Sequence, residues 1–120
     1  MNKENKGYRN LIAWQFANRL AHLIYDLTEG FPKSELFGLT SQMRRAVVSI
    51  GANIAEGYTR SSKKEKARFF NIALGSLTEV EYYIDFALER NYYSSKEHVQ
   101  LSDSQTETAK VLSGLIKSLK

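Results

Sequence analysis

The side chains able to do chemistry are few and scattered. The 120 residues contain no cysteine, which removes thiol nucleophiles, thiolate metal sites and disulfide scaffolds. His22 and His98 are the only imidazoles. Neither stands in a Glu-x-x-His or His-x-x-x-His pair on one helix face, so the ligand pattern of a di-metal carboxylate bundle is missing. His22 reads as a surface or edge residue of the first helix, His98 as a first-turn residue of the last. Serines are plentiful, yet none lies in a Gly-x-Ser-x-Gly elbow. Gly51 and Gly57 are isolated rather than part of a phosphate-cradling loop. Glu56 has Arg60 one turn on, an i,i+4 spacing that suits an ion pair at a helix end better than a catalytic carboxylate. Asn53, between Ala52 and Ile54, suits a satisfied polar group that fixes helix register. The residues therefore point to a protein that is not an enzyme and uses neither metal nor cofactor.

Charge placement says more than total charge. The net charge of +4 and pI near 9.3 fit an anionic partner without requiring one. Residues 60–68 hold Arg60, Lys63, Lys64, Lys66 and Arg68 against Glu65 alone, a local balance of +4. Residues 79–89 hold Glu79, Glu81, Asp85 and Glu89 without a base, a local balance of −4. Both blocks fall on one helix, cations first, which opposes its macrodipole; Arg44 and Arg45 at the start of the helix before it repeat that placement. One reading is a basic patch for nucleic-acid phosphates, built from Arg44, Arg45 and the cations of residues 60–68. The other is a solvated charged face whose basic and acidic ends pair with neighbouring helices or subunits, the usual meaning of such runs. Tyr58, Tyr92 and Tyr93 near helix ends have rings that can stack on bases, although packing is their commoner use.

Apolar periodicity supplies the elements that must position these groups. In the first helix Leu11 or Ile12, Phe16, Leu20, Ile24 and Leu27 form a stripe widened by Ala13, Ala17 and Leu23. Asn10 is the expected N-cap, and Gly30 with Pro32 the stop. A short helical turn is expected within residues 32–38. The second helix runs from about Thr40 to Tyr58. The third opens on a capping box, Ser62-x-x-Glu65, and ends near Arg90 or Asn91, with Phe69, Phe70, Ile72, Ala73, Leu77, Val80, Ile84 and Leu88 as apolar positions. A second box, Ser94-x-x-Glu97, opens the fourth, whose buried side is marked by Leu101, Ala109, Leu112, Leu115, Ile116 and Leu119. No segment alternates with period two over a strand length. Short connections between long amphipathic helices predict an all-α, antiparallel up-down four-helix bundle over residues 1–120, with residues 1–8 flexible. In that topology Arg44–Arg45 and residues 60–68 lie at opposite ends of the second helix. Apolar runs stop at about four residues, against the roughly 20 that span a bilayer, so a soluble cytoplasmic protein is expected.

The second helix is unusual. From Ala46 to Ala55 it is apolar or small on nearly every side, and such a helix is buried all round. Self-association would supply the missing neighbour, with Ser49, Gly51 and Ala52 allowing close approach. Equally, Phe31, Leu36 and Phe37 of the preceding loop could cover it.

The runs Leu11-x-x-Trp14-Gln15, Phe31-Pro32-x-x-Glu35-x-Phe37-Gly38-Leu39-Thr40-Ser41-Gln42-x-Arg44-Arg45-Ala46 and Val48-Ser49-Ile50-x-Ala52-Asn53-Ile54-Ala55-Glu56-Gly57 resemble one family. Ser62-x-x-Glu65-x-x-Arg68-Phe69 and Ile72-Ala73-x-Gly75-Ser76-Leu77-x-Glu79-x-Glu81 extend the likeness. It is to the four-helix-bundle proteins encoded in intervening sequences of bacterial large-subunit rRNA genes, over about residues 8–90. The accessory variability determinant proteins of diversity-generating retroelements are similar in fold. Gly51 stands where many members would carry proline. The resemblance implies a homopentameric ring with a basic surface for RNA or DNA and no catalysis, and Arg44, Arg45, Arg60 and Arg68 occupy basic positions of the pattern. Lys63, Lys64 and Lys66 extend that patch. The expected protein is thus an oligomeric nucleic-acid binder, the alternative being a structural oligomer or protein adaptor, for example an accessory to a reverse transcriptase.

Overall fold

Two sequence signals set the longest helix and its successor. The Ser62 hydroxyl accepts the Glu65 amide at 3.1 Å and starts the helix Lys63–Glu89; Ser94 and Glu97 form a complete capping box ahead of Ser95–Lys117. The computed structural model describes residues 7–120, and its long helices are α1 (Ile12–Thr28), α2 (Leu39–Tyr58), α3 (Lys63–Glu89) and α4 (Ser95–Lys117). Short 3-10 turns occupy Gly7–Asn10 and Lys33–Glu35, and no strand occurs among the described residues. The flexibility expected of residues 1–8 falls, for residues 1–6, outside the described residues. Tyr8 packs its ring against Trp14, centroids 5.3 Å apart.

The start of α1 corrects the sequence reading. Its N-cap is Leu11 rather than Asn10, because the 3-10 turn consumes Asn10 and closes with the Leu11 amide on the Tyr8 carbonyl. At the other end of α1, Gly30 and Pro32 follow its last turn as expected. α3 ends where Asn91 takes a left-handed φ of 61° and the Tyr92 amide reaches back to Ala87, a Schellman-type closure.

The helices pack in chain order, α1 on α2, α2 on α3, α3 on α4 and α4 back on α1, with α2 and α3 the most extensively joined. Two ends result. The lower end gathers the starts of α1 and α3 and the finishes of α2 and α4; the upper end gathers the remaining termini and the α1–α2 loop. The core holds Leu20, Ile24, Met43, Ile50, Ile54, Leu77, Ile84, Leu101 and Leu112. The buried stripe of α1 keeps Leu20, Ile24, Ala13 and Ala17 and adds Thr28; Leu11, Phe16, Leu23 and Leu27 are half-buried, and Ile12 is 59% exposed. On α4 two polar residues, Gln105 and Thr108, join the buried side, Thr108 satisfied by the Ser104 carbonyl at 2.7 Å. No helix among the described residues is long and apolar enough to cross a membrane.

α2 is not covered by the loop before it. Phe31 packs on Tyr92 and Tyr93 instead, while Leu36 and Phe37 are 48% and 92% exposed. The outer side of α2, with Val48 and Ala52, stays open. It borders an α1–α2 groove of about 250 Å3 that includes Trp14, Ala17, Ala21 and Gly51.

Candidate nucleic-acid interface

The cations of residues 60–68 gather because α2 and α3 meet closely. Gly57 is buried, and a Cβ there would lie 2.7 Å from Phe70 Cε1, so only glycine lets the last turn of α2 seat against α3. The four-residue turn 59–62 then returns the chain, and the cationic start of α3 lies beside the finish of α2. Lys66 Nζ donates to the Tyr58 carbonyl at 2.8 Å, at the negative end of α2. Charges that oppose the dipole of their own helix thus complement that of the antiparallel neighbour. This accounts for the placement that looked unfavourable along the sequence.

The remaining cations differ in their freedom. Arg60 pairs with Glu56, as the i,i+4 spacing predicts, and Arg68 pairs with Glu65 at 3.2 Å. The Arg68 guanidinium holds the Glu65 carboxyl below the usual carboxylate range. Both guanidiniums also lie against the Phe69 ring, 4.7 Å from its centroid for Arg60 and 4.4 Å for Arg68. Lys63 and Lys64 are exposed and make no ion pair among the described residues. Lys117 and Lys120, from the finish of α4, lie at the same end. The exposed pairs contribute about 0–1 kcal/mol each, so their arginines can exchange a carboxylate for a phosphate at small cost.

Arg44 and Arg45 are not part of this surface; they lie at the upper end. Arg44 is anchored: Nε donates to the buried Thr28 hydroxyl at 2.9 Å, Nη2 to the Tyr25 carbonyl at 3.2 Å, and the guanidinium covers the Tyr25 ring. Arg45 is exposed and edges a shallow α2–α3 pocket with Gln42, Ser49, Ser76 and Glu79. The acidic block surrounds this end. Asp85 meets His98 of α4 at 2.9 Å, and Glu79 accepts from Tyr83, raising that phenol's pKa. Tyr92 and Tyr93 serve packing here. Tyr92 donates to Glu35 at 2.6 Å and Tyr93 to the Ile84 carbonyl at 2.6 Å, and burial pushes the Tyr93 phenol up.

The small residues of α2 also separate. Ser49 turns toward α3, 3.0 Å from the Ser76 hydroxyl, and binds Asn53, which is satisfied as expected. Gly51 faces Trp14 of α1, and Ala52 is exposed. Two features escaped the sequence reading: Phe69, read there only as core, is the ring on which two arginines lie, and Trp14 lines the open groove. Phe69 has Arg68 beside it and Arg60 nine residues earlier, but the second pairing depends on the turn at Gly57.

A family model for 23S rRNA-intervening sequence proteins matches residues 9–114. The chain belongs to this family. The match includes nearly all of α4 as well as the segment whose motifs carry the resemblance. A crystal structure of a protein with unknown function from the S23 ribosomal protein family of Bacteroides thetaiotaomicron superposes with a TM-score of 0.81 at 26% identity, covering 88% of this chain and 96% of that one. A comparison with curated proteins gives no match. In this member of the 23S rRNA-intervening sequence family, then, the cations of residues 60–68 lie at the lower end and the acidic block of residues 79–89 lies toward the upper end, where Arg44 and Arg45 also sit.

Proposed function

We propose that this protein is a cytoplasmic, non-enzymatic oligomer that binds nucleic acid through the lower end of its bundle. The supporting observation is the state of the cations there. Lys63 and Lys64 form no ion pair among the described residues, and Arg60 and Arg68 flank them in weak, exposed pairs. A surface of that kind exchanges counterions for phosphates and needs no cofactor. Binding of RNA or DNA, followed by fluorescence anisotropy across a salt series, should weaken steeply, with a log–log slope of about −0.7 to −0.9 per phosphate contacted. Flat or absent binding at low salt removes this reading.

Assembly enters through α2. Its open side and the groove beside Trp14 and Gly51 leave apolar surface that the chain's own loop does not cover. A second copy is the natural neighbour, and a closed ring of five, each subunit offering its lower end on one face, would multiply the local field. Light scattering should give the mass of a pentamer; a monomer at micromolar concentration would contradict it. Phe37 favours a second reading, a structural oligomer or an adaptor for a protein such as a reverse transcriptase, because an exposed ring on a short loop suits docking. That reading expects Phe37→Ala to abolish partner capture while the lower-end charges remain dispensable.

A further inference from the structure

Tyr92 and Tyr93 at the upper end are used differently from Tyr58 at the lower. At the upper end Tyr92 and Tyr93 pack against Phe31 and spend their hydroxyls on Glu35 and Ile84. At the lower end Tyr58 is 42% exposed, and its hydroxyl has no hydrogen-bond partner among the described residues. The Lys66 ammonium lies 5.5 Å from the Tyr58 ring centroid. Close in sequence to Lys66, Phe69 carries the guanidiniums of Arg60 and Arg68. Flat aromatic and guanidinium surfaces therefore sit at the lower end beside Lys63 and Lys64, which form no ion pair among the described residues.

From this arrangement we infer that the lower end recognises unpaired nucleobases, so that its ligand is a single strand of RNA or DNA rather than a duplex. The inference rests on the nucleic-acid reading above and deepens it. A duplex keeps its base faces inside the stack and presents only phosphates and groove edges, which give rings and guanidinium planes nothing to stack on. A single strand offers both: phosphates for Lys63 and Lys64, and base faces for Tyr58 and for the guanidinium planes over Phe69. Stacking is tolerant of sequence, so little preference among bases is expected.

The test uses the full chain and four fluorescent probes of roughly 12 units each: oligo-uridine RNA, oligo-thymidine DNA, an abasic deoxyribose-phosphate strand, and a blunt duplex. At low salt either base-bearing strand should bind about tenfold or more tightly than the abasic strand, which has the same phosphates, and than the duplex. Tyr58→Ala should remove most of that difference while Tyr58→Phe keeps it, with thermal melts to check folding. The abasic comparison needs no variant and stands even if Tyr58→Ala unfolds. Equal binding of abasic and base-bearing strands, or a duplex bound as tightly as the single strands, overturns the inference and leaves phosphate binding intact. Failure of every probe to bind at low salt overturns the nucleic-acid reading, and this inference with it.

Discussion

Arg44 at the upper end and Lys63 at the lower end both sit near the start of a helix, yet they do different work. Arg44 is wedged against Tyr25 and the buried Thr28 hydroxyl, where it joins α2 to α1. Lys63 touches no carboxylate among the described residues and projects from the first turn of α3. The acidic residues sharpen the contrast. Arg44 has Glu29 at 3.5 Å and Arg45 lines a pocket with Glu79; near Lys63 the acids paired with cations among the described residues are Glu56 and Glu65. Residue type alone does not make a binding surface. What decides is whether the folded chain has already given the charge a partner.

The largest expected effect follows directly. Reversing Lys63, Lys64 and Arg68 to glutamate should lower RNA or DNA affinity by about a hundredfold or more at low salt and reduce the steepness of the salt dependence by about two contacts' worth. Changing Arg44 and Arg45 to glutamine should alter affinity by only about twofold, because phosphate charge is not being read there. Anisotropy titrations on both variants decide between the ends. Equal losses would mean that the two ends act as one surface, as they could only across subunits.

Much of the frame was legible in the residues. Ser62 and Ser94 mark helix starts through local hydrogen bonds, Gly30 and Pro32 mark a stop, and Glu56–Arg60 is an i,i+4 pair; each needs only nearby sequence. What escaped depends on where other helices lie. On α1 the flanking Ala13 and Ala17 are buried while Phe16 and Leu27 are only half-buried, because small side chains permit the closest helix packing. Gln105 and Thr108 look like solvent residues until α4 is docked. The anchoring of Arg44 on Thr28, sixteen residues away, and of Lys66 on the Tyr58 carbonyl are tertiary facts. So a basic residue could be recognised as such, but not whether it was free.

Stability measurements should separate the same regions. Gly57→Ala places a methyl within 3 Å of the Phe70 ring and forces the α2–α3 corner open, a cost of about 1–3 kcal/mol by urea denaturation. Affinity should fall as well, since the cations of α3 lose their seat beside α2. Gly51→Ala is the control: its Cβ would make ordinary contact with Trp14, 3.5 Å away, and better helix propensity should add about 0.5–1 kcal/mol. A drop in oligomer mass in this otherwise stabilised variant would locate the subunit contact on that groove. Arg44→Leu should cost about 1 kcal/mol through the lost hydrogen bond to Thr28, with nucleic-acid affinity unaffected.

The smallest effect is the most discriminating, because it asks how each end holds its carboxylates. Glu35 is kept below the usual carboxylate range by the Leu39 amide and then by the Tyr92 hydroxyl, groups on α2 and beyond the finish of α3. Glu65 is lowered by Arg68 on its own helix. A carboxylate whose folded pKa lies below its unfolded one contributes stability above the unfolded value and loses it as pH falls through the folded one. Both ends should therefore weaken in acid, but the Tyr92 hydroxyl, 57 residues away in the chain, reaches Glu35 only in the folded bundle. Tyr92→Phe removes one of its two donors. Urea midpoints of the variant should lie below those of the parent at neutral pH and converge with them in acid, since the protonated carboxyl no longer rewards the hydroxyl. Arg68→Gln should show the same sign with a smaller amplitude, since an i,i+3 pair persists in partly helical unfolded chains and is screened by salt. Repeating both series in high salt should erase the Arg68 difference and retain most of the Tyr92 one. If the two respond alike to salt, the upper carboxylate is held by long-range charge, and the division between an anchored end and an exchangeable one fails.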